Sequence, residues 1–229
     1  PNGREVKIRW GELCCVENGR ISEIYLLLDV VDLLQQAGFR ILPPSRGRDG
    51  VYPPPRDDDA IFLDPQNQVE SDRTLDMIRK FIYEGLNVYD QDDLSSMGLA
   101  DWFHPSVRWY GPGGIGACFS MKEFEDMHQS HWLHAFPDRS VQPLDCLFAE
   151  GNYTAAAGWH GVHATHLGNY LGGPATGQNL GVNGLDFWRR SGNQFIENWV
   201  FVDMLHLFRQ FGVDLLRRVS PYGGISTTV

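Results

Sequence analysis

The sequence is short of positive charge. Lys and Arg number 19 against 29 Asp and Glu, a formal charge of −10 with a pI near 5.2. Phosphate backbones and anionic membrane surfaces attract proteins through clustered basic side chains, so neither a nucleic acid nor a membrane partner is expected. Cysteine is scarce too. Cys14, Cys15, Cys118 and Cys146 form no CxxC pair and no spacing that gathers thiolates with imidazoles, which argues against a structural zinc site and leaves reduced, mostly buried thiols as the expectation. No apolar run approaches the roughly 20 residues of a membrane span, and the most apolar stretch, IYLLLDVVDLL, is broken by Asp29 and Asp32. The opening PNGREVKIRW has neither a basic n-region nor an apolar h-region. A cytoplasmic location is the default expectation, although a chain with its N-terminus removed would read the same.

What is there is an ordinary globular composition, 42 % hydrophobic and 21 % charged, with 12 % aromatic residues and seven Trp. That aromatic content suits a ring-lined cavity or a large core. At 229 residues and 25.9 kDa the chain can form one medium domain or two small ones. Sliding the sequence on itself by 174 residues lays RISEIYLLLDVVDLLQQAG over QFIENWVFVDMLHLFRQFG. Without a gap this pairs Gly3 with Gly177, Glu12 with Asp186, Glu23 with Glu197, Asp29 with Asp203, Gln36 with Gln210 and Gly38 with Gly212. The match fades after Leu42. Residues 1–42 are therefore read as the last part of a first module, a β-hairpin plus a short helix. Residues 43–68 are a Pro- and Asp-rich linker, and 69–229 are a complete module with a C-terminal tail.

Within the second module, VESDRTLDMIRKFIYEGL places Leu75, Ile78, Ile82 and Leu86 at helical spacing, with Ser71 or Asp72 as the cap. A short helix is expected around 92–103, then a strand VRWYG running into the turn GPGG, then a helix from about Ser120 to Ala135. Long strands are expected at about 140–149, 153–168, 178–190 and 194–203. The short connections EGN, LGGPATG and RSGN make them antiparallel neighbours. Helices first and a meander afterwards is an α+β pattern, with helices covering one face of a bent sheet and a pocket between.

The motifs AFPD, AEGNYTAAAGWHGVHATHLGNYLGGPATGQ, DFWRRSGNQFIENWVFVD and RQFG carry a resemblance to the SnoaL-like polyketide cyclases of the nuclear-transport-factor-2-like superfamily. It spans about residues 70–217 in full and 1–42 as the last third of a second copy. The resemblance implies an α+β cone, helices packed on a strongly bent antiparallel sheet that encloses a pocket for a small apolar or aromatic ligand. It also implies an intramolecular aldol condensation or an isomerisation run by an aspartate as general acid and base, without metal or cofactor. Modules of this kind pair back to back, so a pseudo-dimer or homo-oligomer is expected. The fold equally hosts noncatalytic binding and architectural modules.

Asp203 matches the aspartate of that resemblance. Alternation puts it on one strand face with Glu197, Trp199 and Phe201, where apolar neighbours would raise its pKa and hold a flat ligand. An aspartate just before MLHLFRQ is equally an N-cap, as is Asp29 before VVDLLQQ. His166, in the threonine-histidine-x-glycine motif, is read either as a neutral imidazole that assists Asp203 or bonds a substrate carbonyl, or equally as a half-buried strand histidine bonded to a neighbour. Asp186, whose counterpart is Glu12, is a second candidate carboxylate or a partner for Arg189 or Arg190. Trp109, Trp132, Trp159 and His163 complete the expected ligand contacts. His160 and His166 share one strand face and His163 takes the other, so no metal site is expected. His128 and His131 are read as lying on a solvated or pocket-edge helix face. Family cyclases that pair their aspartate with a histidine have no clear equivalent here, since the positions read Phe187, Trp188 and Arg189.

Overall fold

The computed structural model describes residues 3, 5–57, 60–90 and 92–219; the expected tail past 219 lies outside them. Alternation in the N-terminal segment is realised as a hairpin, β1 (Trp10–Glu17) pairing antiparallel with β2 (Arg20–Leu28). Asn18 and Gly19 turn the chain with φ of 51° and 71°. Two-residue hairpins need positive φ, and Asn-Gly adopts it at least cost. Asp29 ends β2 and caps α1 (Val30–Gln36), its Oδ1 accepting from the Asp32 amide at 3.1 Å.

The larger body begins with α2 (Gln68–Lys80), whose last turn widens into a π-turn at Phe81–Leu86. Its cap is Asn67 rather than Ser71 or Asp72, because Ser71 already sits inside the first turn, where its Oγ donates to the Asn67 carbonyl and accepts from the Gly151 amide. α3 (Leu99–Trp102) and β3 (Phe103–Tyr110) lead through the glycine turn to β4 (Ala117–Cys118). The helix expected from Ser120 is present and capped by Ser120, but is interrupted. α4 (Met121–Phe124) and α5 (Ser130–Ala135) flank a π-turn at Glu125–Gln129. Then come β5 (Ser140–Val141), β6 (Cys146–Glu150), β7 (Tyr153–Thr165), β8 (Asn179–Ser191), β9 (Gln194–Val202) and α6 (Met204–Gln210). The strand expected over 140–149 is two strands, since Pro143 between them has no N–H to give a ladder.

The sheet runs β4-β3-β9-β8-β7-β5, with β6 also on β7. Its pairs are antiparallel except β3 with β9, which come together parallel from distant parts of the chain. β7 bulges between Gly158 and Val162. A Cβ on Gly158 would fall 2.5 Å from the Gly161 backbone, so this fold of the strand onto itself admits only glycine. Among the described residues no helix is long and apolar enough to cross a membrane.

One sheet face meets the helices and the other carries the hairpin. Leu13, Tyr25 and Leu27 pack on Ala155, Leu185, Phe187, Trp199 and Phe201. A polar latch sits beside this contact. Arg9 donates to the carbonyls of Gly111, Tyr110 and Val200 at 2.5, 2.7 and 3.0 Å and to Asp29 at 3.2 Å. Asp29 in turn accepts from the Gly113 amide at 2.9 Å. A Cβ on Gly113 would lie 2.3 Å from the Asp32 nitrogen, which reserves that turn position for glycine. Cys14 and Cys15 are exposed, Cys118 is buried, Cys146 is intermediate, and all four are free. The expectation of mostly buried thiols fails because part of β1 is uncovered.

The two matched stretches share hydrogen bonds as well as spacing. Asp29 N donates to the Arg9 carbonyl at 2.9 Å and Asp203 N to the Asn183 carbonyl at 3.1 Å. Gln36 bonds both ways with the Lys7 backbone, and Gln210 with that of Gly181. The hairpins bulge at Cys15/Val16 and at Arg189/Arg190. In every case the second residue lies one repeat offset after the first.

Candidate functional site

Between the helices and the sheet lies a cavity of about 180 Å³, many times the ~10–15 Å³ that one water needs. Phe81, Ile82 and Leu86 enter from the π-turn that ends α2, Phe103 and Trp109 from β3, and Phe124, His128, Gln129 and Trp132 from the interrupted helix. The sheet supplies Ala156 and Val162 from β7, Val182, Asp186 and Trp188 from β8, and Asn198, Val200 and Val202 from β9. Strand alternation explains the last two sets, since every second residue faces the same side. The π-turn at Glu125–Gln129 brings both His128 and Gln129 to the cavity wall; such widened turns recur at functional sites.

Asp186 is the sole carboxylate of this wall among the described residues. It is half-buried and lines the cavity. Burial pushes its pKa up to about 7, with a hydrogen bond from Asn198 pulling the other way. Its cross-strand neighbours, Ala156 and Val200, offer no charge. Arg189 pairs with Glu197 at 3.3 Å and with Asp57, and Arg190 pairs with Glu70, so neither arginine is the partner of Asp186. His128 stacks on Trp109 at 4.3 Å. Burial, and then the Arg139 charge, push its pKa down to about 3, which leaves a neutral imidazole at physiological pH.

Of the residues singled out in the sequence, Asp186, Trp109 and Trp132 share this cavity. Asp203 stands outside its wall and caps α6, its Oδ1 accepting from the His206 amide at 3.0 Å. Glu197, Trp199, Phe201 and Asp203 do alternate together, but Trp199 and Phe201 meet the hairpin. Trp199 stacks on Tyr110, and Phe201 lies under the Arg9 guanidinium at 4.5 Å. Periodicity tells which residues share a face and is silent on which face meets the helices. His166 is fully buried, between Phe136 and Phe211, with Nδ1 3.2 Å from Thr176 Oγ1, and pins the turn that leads to β8. His163 is exposed, and Trp159 packs edge-on against Tyr25. Of the two faces expected for His128, the pocket edge holds, since it lines the cavity. Its spacing of four from Phe124 and from Trp132 is the signal that could have placed it there. Among the described residues no group of three or more His, Cys, Asp or Glu could hold a metal ion.

The family model for SnoaL-like polyketide cyclases matches residues 78–211. The chain belongs to that family. Among solved structures it is similar to a candidate SnoaL-like polyketide cyclase from Jannaschia sp. CCS1, at 17 % identity and a TM-score of 0.54, over 66 % of this chain and 99 % of that one. It is also similar to AclR, a candidate hydroxylase from Streptomyces galilaeus, at 22 % identity and a TM-score of 0.49, over 62 % of this chain and 97 % of that one. A candidate polyketide cyclase from Acidithiobacillus ferrooxidans matches at 19 % and 0.49, over 61 % and 94 %. No curated protein matches the sequence. At these identities the first likeness speaks for the fold.

Proposed function

We propose that the cavity binds a small, largely apolar or aromatic ligand and that Asp186 exchanges a proton with it, in a cyclisation or isomerisation through an enolate. The observation that carries this is a lone carboxylate in an aromatic wall, its proton affinity raised into the neutral range. A group titrating near the working pH can both take up and release a proton. Ionised Asp186 would remove a proton from a carbon beside a carbonyl. The electron pair moves to the carbonyl oxygen and returns either to that proton at a new carbon or to an electrophilic carbonyl carbon of the same ligand, whose oxygen then takes the proton back from Asp186 as a hydroxyl. Trp188 Nε1, buried without a partner, is a donor within this wall for the developing oxyanion. Trp109 and Trp132 would hold the flat body of the ligand by stacking.

The reading is tested with 2-tetralone in deuterated water, following by NMR the loss of the protons beside its carbonyl. The protein should accelerate exchange, and Asp186→Asn should slow it by about 100-fold or more. Equal rates with parent and variant would remove the acid–base role and leave noncatalytic binding.

A second, architectural reading is favoured by the matched hydrogen bonds. Residues 1–42 act as the end of a first module, packed on the second as in a pseudo-dimer. In support, the equivalent pairs Leu13 and Phe187, Tyr25 and Trp199, and Leu27 and Phe201 all lie in one cluster. That is the self-complementary pattern of a two-fold interface. The outer side of the hairpin exposes Trp10, Ile24, Leu26 and Leu28, whose equivalents Gly184, Asn198, Val200 and Val202 line the cavity. Further chain of the same polypeptide or of a partner would cover that side. Light scattering on the 229-residue chain should therefore find association through it. The double variant Ile24→Lys, Leu26→Lys should abolish the association, and a monomeric parent would count against the reading.

A further inference from the structure

Arg139 follows the Phe136-Pro137-Asp138 turn at the end of α5 and forms part of the cavity wall. Only 5 % of it is exposed. Its Nη2 meets the Met97 sulfur at 3.6 Å, its guanidinium lies over the Tyr89 ring at 5.2 Å, and its Nε has no hydrogen-bond partner. The Tyr89 hydroxyl is engaged with the Pro137 carbonyl. Among the described residues no carboxylate forms an ion pair with Arg139. Asp186, on β8, forms no ion pair with it. Burial pushes its pKa down to about 10, so at neutral pH it remains a cation. A buried charge without a counter-charge is unfavourable. Two more polar groups of the same wall are without partners, Gln129 Oε1 and Trp188 Nε1.

We propose that Arg139 is the anchor for an anionic oxygen of the ligand, so that the ligand class is an apolar or aromatic carboxylic acid, its charge on Arg139 and its ring body among Trp109, His128 and Trp132. This rests on the cavity being a ligand site, and it does not depend on Asp186 acting in catalysis. A carboxylate would give the guanidinium the counter-charge that the chain does not, and its two oxygens suit the paired donors of arginine. The uncompensated cation gives the protein selectivity for a charged ligand over a neutral one.

The test compares 2-naphthoate with 2-naphthamide by calorimetry at pH 6, where Asp186 keeps its proton and cannot repel the anion. 2-Naphthoate should bind at least tenfold more tightly than the neutral amide. Arg139→Met should erase that preference while leaving 2-naphthamide affinity in place, and Arg139→Lys should retain part of it. The ligand-free Arg139→Met protein should also melt above the parent, because an unpaired buried charge has been removed. Equal binding of the two probes overturns the proposal and leaves the ligand-binding reading standing. Failure of 2-naphthoate to bind overturns the proposal as well, and so does an Arg139→Met protein that melts lower or fails to fold, since Arg139 would then be a structural cation.

Discussion

Asp186→Asn should make the protein more stable at pH 8 and leave it unchanged below pH 4. In the folded protein Asp186 holds its proton up to about pH 7, whereas in the unfolded chain it loses it near pH 4. Between those two values the folded state binds the extra proton, so the contribution of this group to stability falls as pH rises from about 4 to about 7 and stays low above that. A gap of about three pH units, at about 1.4 kcal/mol each, sets an upper bound of about 4 kcal/mol. Asparagine has the same shape and no charge to bury. At pH 8 the variant should melt higher by an amount on the order of 10 °C, and the difference should shrink steadily on acidification. Calorimetric melting curves across pH 4–9 read this directly. A variant less stable than the parent at pH 8 would show that Asp186 is satisfied in its ionised form, and would remove the physical basis for its acid–base role. Stabilisation at the expense of activity is the expected signature of a strained functional group.

Asp29→Ala should be among the most damaging single substitutions in the chain, at about 3–5 kcal/mol in urea unfolding. It strips the acceptor from the Asp32 amide, from the Gly113 amide and from the half-buried Arg9 guanidinium at once. Arg9 would keep three carbonyl acceptors, which places the loss toward the lower end of that range. The same substitution at the matched position, Asp203→Ala, removes one cap hydrogen bond to His206 and should cost about 1 kcal/mol. The contrast is the informative quantity. If Asp29→Ala costs no more than Asp203→Ala, Asp29 is only a cap and the latch to the Gly111–Gly114 turn contributes little.

The order of the long strands, the caps at Asp29 and Asp203, the N-terminal hairpin and the glycine-rich turn after β3 were legible in the sequence. Each depends on residues within a few positions of one another, where periodicity, φ preference and side-chain reach act locally. The offset repeat is a pattern of the sequence, and Asp186, Trp109 and Trp132, singled out there, line the cavity. The grouping of Trp199, Phe201 and Asp203 shows where local reading stops. Alternation sorted them correctly onto one face, but a strand has two faces, and the choice between helices and hairpin is made by packing of segments far apart in sequence. Arg139 and Gln129 were invisible for a related reason. A lone arginine after a helix and a glutamine inside one read as surface residues, and only the closing of β3, β8 and the interrupted helix around them removes water and turns them into unpartnered groups in a wall. Local pattern carried most of the strands and the likeness to the family, but not the breaks in the helix after Ser120 and in the strand expected over 140–149. Only the packing of segments distant in sequence decided which carboxylate lines the cavity, because what surrounds a residue in space depends on the whole fold.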